Sequence, residues 1–176
     1  MTSIFKYVIT HDTGTAPCVD NGLLSLCICK PKIRRVAKVG DWVIATGSKV
    51  RISKVPKIVF VANITKKISM ETYALENNKR LDSIYEFDGF SLIHNGSPIH
   101  RDEKAQAADK SGINCLLSQK FWYFGQNAIE LQNDLYPLYH YGQGHGKIND
   151  EEILDLLNNY LSKISAGVLG KPHHQQ

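Results

Sequence analysis

Six short runs rich in β-branched and aromatic residues constrain this chain more than anything else in its sequence. They are Ile4–Ile9, Leu23–Cys29, Trp42–Thr46, Lys57–Ile64, Ile113–Leu117 and Phe121–Phe124. Such runs read as strands, and Gly40-Asp41, Asp88-Gly89 and Asn95-Gly96 read as turns between them. No helical segment follows each run, which argues against the strand–helix–strand units of a parallel sheet. The runs predict an α+β fold: a curled, mostly antiparallel sheet or partly open barrel, flanked by two or three helices.

One helix is clear from spacing. Ile153, Leu157, Tyr160, Leu161 and Ile164 recur on one face, Leu154 widens it, Asn149 and Glu152 form a capping pair, and Gly167 is the stop. Ser69 predicts the cap of a shorter helix over Met70–Leu75. Residues 76–111 show no sustained period and read as a long excursion, while Lys30–Val39 reads as a basic connecting segment. The 176 residues suit a single domain over 1–170 with a frayed tail over 171–176. No apolar run reaches the roughly 18 residues of a membrane span, so no membrane partner and a cytoplasmic location are expected.

Charge is distributed unevenly. Residues 1–70 hold 12 Lys/Arg against 3 Asp/Glu, a net of +9, and the remainder holds 9 against 14, a net of −5. Nine of those cations lie between Lys30 and Lys57, with Asp41 as the one acid. A stripe of this kind captures polyanions. Lys30, Lys32, Arg34, Arg35, Lys38 and Lys49 are therefore the candidate phosphate contacts, the arginines by bidentate bonds and the lysines as point charges.

Nucleotide-binding glycine loops and metal-binding spacings are missing. Gly142-Gln143-Gly144-His145-Gly146 is glycine-rich but neither follows a strand nor opens a helix directly. Cys18, Cys27, Cys29 and Cys115 lack zinc-cluster spacing and read as reduced, packing thiols. No metal and no cofactor are expected. Cys18 beside His11 is a conceivable nucleophile pair, although spacing alone assigns no catalytic residue.

Two segments stand out as pocket material. In Trp42–Ser48 a buried strand ends in Thr46-Gly47-Ser48, where Gly47 permits close backbone approach and Ser48 offers a hydroxyl. In Phe121-Trp122-Tyr123-Phe124 four aromatics alternate across a strand, and the outward pair needs either a stacked base or a covering helix. Asp12, Trp42, Thr46, Gly47, Ser48, Phe121, Trp122, Tyr123 and His145 form the candidate base pocket.

The order of these blocks resembles a known family. Tyr7, Asp12-Thr13-Gly14-Thr15-Ala16-Pro17, Cys29-Lys30-Pro31-Lys32-Ile33-Arg34-Arg35, Val39-Gly40-Asp41-Trp42, Thr46-Gly47-Ser48-Lys49, Phe121–Gly125 and Gly142–His145 together resemble the second of the nucleotide-modification-associated domain families. The resemblance implies a setting, modified nucleobases in the DNA of bacteria and phages, rather than a reaction. The chain departs from the family pattern over residues 88–111. More distantly, the strand order around Gly40-Asp41 is similar to PUA-like domains of the EVE and ASCH kind, whose relatives hold a flipped base. A reader of a modified nucleotide or of a modified base in DNA is the first expectation. An enzyme using Asp12, His11, Cys18, His100 or His145 is the second. The third is an interaction subunit docking an acidic partner through its basic face, for which an outward Leu154 and Leu157 would speak.

Overall fold

Alternation along the strands decides the layering, because every second side chain of a strand points to the same face. The computed structural model describes residues 1–174. In chain order the elements are β1 (Ile4–Ile9), β2 (Cys18–Asp20), β3 (Leu23–Leu26), α1 (Pro31–Val36), β4 (Trp42–Gly47), β5 (Lys57–Asn63), β6 (Lys66–Ser69) and α2 (Met70–Glu76). They continue with β7 (Tyr85–Phe87), β8 (Leu92–His94), α3 (Glu103–Lys110), β9 (Asn114–Ser118), β10 (Lys120–Tyr123), β11 (Ile129–Glu130), β12 (Gly146–Ile148), α4 (Glu151–Leu161) and β13 (Gly167–Val168).

The large sheet runs β12-β1-β4-β5-β10-β13, with β11 also on β5. A second sheet runs β2-β3-β9-β6, and β7-β8 form a separate hairpin. Pairing is antiparallel except at β1–β4 and β10–β13. The mixed, mostly antiparallel architecture is the expected one. β12 and β13 do not pair with each other, so the large sheet stays open rather than closing into a barrel.

Phe5, Tyr7, Ile9, Phe60, Phe121 and Tyr123 face the second sheet and pack on Leu24, Leu26 and Leu116. The opposite face, with Ile4, Trp42, Ile44, Val61, Trp122 and Phe124, lies under α4 and the 3-10 segment Asn133–Leu138. The far side of the second sheet is covered by α2 and the hairpin, through Met70, Tyr73, Ile84 and Tyr85. The four consecutive aromatics are thus buried on both sides of β10, and a covering helix rather than an exposed base answers the outward pair.

Local chemistry explains the helices. Ser69 caps α2 by accepting the Thr72 N–H at 3.1 Å, as its sequence predicts. On α4 the cap is Asp150, one residue later than expected, accepting from Glu152 and Ile153; Asn149 instead donates to Ser3 Oγ. Leu157 is fully buried and Leu154 packs on the same core, so the helix offers no outward leucine pair to a partner.

Two helices sit where the sequence predicts connecting chain. α1 begins with Pro31 at its first turn, a position where the missing N–H costs nothing. α3 is capped by Asp102, which accepts from Ala105 at 2.8 Å. With the hairpin, α3 gives the 76–111 excursion its own structure. Of the tail expected to fray over 171–176, residues 173 and 174 dock on the loop after β1, where His173 N–H donates to Asp12 Oδ2 and His174 N–H to Asp12 O, while 175 and 176 lie outside the described residues. Cys27 and Cys115 are joined as a disulfide, so the expectation of four reduced thiols holds only for Cys18 and Cys29.

Candidate functional site

An unpaired stretch of strand edge sets the site. β12 pairs with β1 only from Ile4 to Lys6, whereas β4 follows the other edge as far as Ile9. The edge from Tyr7 to Thr10 is left for two adjoining cavities, each about 500 Å3, which share Val8, Thr10 and Lys30. Together they form one groove, within the range of about 300–1,000 Å3 usual for small-molecule sites.

The inner half of the groove is walled by Tyr7, His11, Thr13, Thr15, Cys29, Lys30 and His100. Tyr7 is buried, and its hydroxyl has no hydrogen-bond partner among the described residues. Burial, aided by the neighbouring Cys29 and Asp12, holds that phenol well above its usual pKa. The Lys30 ammonium lies 4.3 Å from the Tyr7 ring centre, and burial lowers its pKa. The outer half is walled by Ser48, Lys49, Tyr139, Tyr141 and the Gly142–Gly144 loop. There Lys49 Nζ lies 5.8 Å from the Tyr139 ring and 5.5 Å from that of Tyr141, and those two rings meet edge to face at 4.3 Å. At the rim, Arg51 donates to His11 Nε2 at 2.7 Å. His145 stands beside this wall, its pKa lowered by burial and by the charges of Lys32, His140 and Lys30.

Backbone conformation marks the inner half again. Of the five non-glycine residues with positive φ among the described residues, Cys29 (58°), Lys30 (42°) and His100 (50°) all line it. Such conformations cost ~1–3 kcal/mol each and gather at functional sites.

What holds them is a buried carboxylate. Asp109 accepts the Cys29 N–H at 2.7 Å through Oδ1, and through Oδ2 it accepts His100 Nδ1–H at 2.5 Å and the Tyr85 hydroxyl at 3.0 Å. His100 Nε2–H points at Cys29 Sγ, 3.6 Å away. The Asp109 and Cys29 hydrogen bonds raise the His100 pKa to about 10, against the opposing effect of burial. Cys29, His100 and Asp109 thus carry their ligating atoms within 4.8 Å of one another. They stand in series, however, not around a point. Asp109 occupies the ring nitrogen opposite to the one facing Cys29, so an ion at Nε2 would find two protein ligands rather than the three or four of zinc sites.

Several sequence-predicted site residues lie elsewhere. Arg34 is fully buried in α1, where it donates to the carbonyls of Cys27, Cys29, Asp109 and Asn114. It braces the two chain segments that carry Cys29 and Asp109 and is not open to a phosphate. Arg35 is exposed and donates to Ser111 O; neither it nor Lys38 lines the groove. Trp42 and Trp122 stack at 6.2 Å in the core beneath α4, and Phe121 belongs to the core between the sheets. Thr46 is buried, and a Cβ on Gly47 would meet Ile52 Cγ2 at 2.6 Å. That glycine makes room for Ile52, not for a ligand. Asp12 is buried behind the groove wall, accepting from the Tyr123 hydroxyl at 2.6 Å and from His173. Lys30, Lys49 and Ser48 are brought to the groove, with Lys32 and His145 near it.

Cys18, the nucleophile the sequence offers, is buried, and burial raises its thiol to about 11. The free thiol that lines the groove is Cys29. Its partners His100 and Asp109 fall in the stretch without periodicity or family pattern, so no linear signal linked them to it.

Fold and groove together define an α+β domain with a polar cleft at an open strand edge. The family model for nucleotide modification associated domain 2 matches residues 1–176, and the chain belongs to that family. Its role is accordingly associated with nucleotide modification. No curated protein and no solved structure matches the chain. No helix among the described residues is long and apolar enough to cross a membrane.

Proposed function

We propose that the groove binds a modified nucleotide, with the exposed Tyr141 ring against its base and the ammonium groups of Lys30 and Lys49 available to its phosphate. The observation that carries this reading is the pairing of ammonium and aromatic face at both ends of one cleft, Lys30 with Tyr7 and Lys49 with Tyr139 and Tyr141. The exposed Tyr141 face can stack on any base, at ~1–3 kcal/mol, and the ammonium groups supply the counter-charge for phosphate.

Cations at the groove are few: Lys30 and Lys49 on its walls, Arg51 at its rim and Lys32 nearby. That set suits a mononucleotide, or one flipped nucleotide of DNA, better than a long duplex track. The test is calorimetric titration with the four deoxynucleoside monophosphates and the 5-hydroxymethyl forms of the pyrimidine ones, alongside a 12-base-pair duplex. Saturable binding of a monophosphate, weakened at least fivefold by Lys49→Ala, supports the reading. If the duplex binds instead, two or three phosphate contacts predict a log–log salt slope of about −2 to −3. A steeper slope, near −5, or no binding of any probe at about 1 mM, would refute the groove as the nucleotide site.

A further inference from the structure

We propose that Cys29 is a catalytic nucleophile, aligned with His100 and Asp109 as a hydrolytic triad that cleaves an acyl-type bond of a modified nucleotide held in the groove. The substrate class rests on the proposed nucleotide reading; the nucleophile does not. Nucleophile, base and orienting group recur in this serial order in the triads that carry out acyl transfer. Three observations converge on it here. Cys29 and His100 open on the cavity while Asp109 behind them is buried. The His100 ring is fixed from both sides, Nδ1–H on Asp109 at 2.5 Å and Nε2–H toward Cys29 Sγ at 3.6 Å. Cys29, like Lys30 and His100, sits at positive φ, and its backbone is fixed by contacts that a packing cysteine does not need: the Asp109 bond to its N–H and the Arg34 bonds to the Cys27 and Cys29 carbonyls.

The step balances with water as its co-reactant. Cys29 Sγ, as thiolate, adds to the acyl carbon and an S–C bond forms. The carbon's bond to its amine or alkoxide leaving group then breaks; the leaving group takes the bonding pair and the Nε2 proton of His100. Water adds to the resulting thioester and gives a proton to His100 Nε2. The S–C bond breaks, releasing the carboxylic acid and restoring thiolate and imidazolium. Nothing is oxidised or reduced. The charged and titratable groups facing the pair are Tyr7 on β1, Lys30 and Arg34 at α1, Tyr85 on the hairpin, and Asp109 on α3.

The experiment labels the full chain with iodoacetamide and resolves Cys29 from Cys18 by peptide mass spectrometry. The expected Cys29 rate changes less than about threefold between pH 6 and 8, whereas an ordinary thiol, with a pKa of about 8.5, slows roughly tenfold per unit below it. His100→Asn is expected to cut the Cys29 rate at pH 6 at least tenfold while Cys18 stays unlabelled, which shows that the variant is folded. A wild-type rate that climbs with pH as for an ordinary thiol overturns the proposal without any variant. So does an unchanged rate in His100→Asn, or one equivalent of zinc retained through dialysis by wild type and lost on either Cys29→Ser or His100→Asn. A fourth arm adds the nucleotides as protectants. Flat pH behaviour without protection sustains the nucleophile and removes the nucleotide substrate; protection with ordinary thiol behaviour sustains the groove and removes the triad.

Discussion

Replacing Arg34 separates its structural role from the phosphate-binding role that its sequence context invites. The guanidinium is fully buried and is the donor to four main-chain carbonyls, those of Cys27, Cys29, Asp109 and Asn114. Arg34→Ala leaves these acceptors in a space too enclosed for ready solvation. At ~1–3 kcal/mol for each unsatisfied buried group, four groups come to roughly 4–12 kcal/mol, with relaxation favouring the lower end. Total stabilities run about 5–15 kcal/mol, so the variant should be barely folded. Arg34→Lys keeps the charge but offers a single ammonium to carbonyls arriving from three segments, and a loss of about 2–4 kcal/mol is expected. Arg35→Ala, at an exposed neighbour, should stay within about 0.5 kcal/mol of wild type. Urea unfolding followed by circular dichroism reads all three. The reasoning fails if Arg34→Ala costs less than about 1 kcal/mol, or if it weakens nucleotide binding at unchanged stability, because the side chain would then be serving the ligand and not the chain.

Two further outcomes follow from the same region. Gly112→Ala should be among the more damaging single-methyl changes, since its Cβ would lie 2.4 Å from Arg34 Cζ and Nη2, atoms already tied to four carbonyls; an unchanged urea midpoint would contradict this packing. For His100, a raised folded-state pKa means that its stabilising contribution is complete below the unfolded value of about 6.5 and disappears as pH climbs toward about 10. The gap in urea midpoint between wild type and His100→Asn should therefore be constant from pH 5 to 6.5 and narrow steadily to pH 10. A gap that widens with pH would show the imidazole to be neutral in the native state.

Elements whose fate depends on their own pattern were legible. The β-branched and aromatic run Ile4–Ile9 marks a strand and Ser69 a helix start, while the alternation in Phe121–Phe124 and the stripe of α4 record which face of a segment leaves water, with a period of 2 or 3.6 residues. Position in a third dimension leaves no such record. Arg34 and Arg35 are adjacent and alike in sequence, yet one is sealed inside and the other exposed, because only the former faces the carbonyls that α3 and β9 bring to α1. Cys29, His100 and Asp109 meet across 71 and 80 residues, and α3 presents Asp109 to the others only once it has docked. The strands and the basic character of the groove were written locally; which cation reaches a ligand, and which thiol gains an imidazole, was settled by the packing of segments distant in the chain, since a side chain's partners depend on where the rest of the molecule folds.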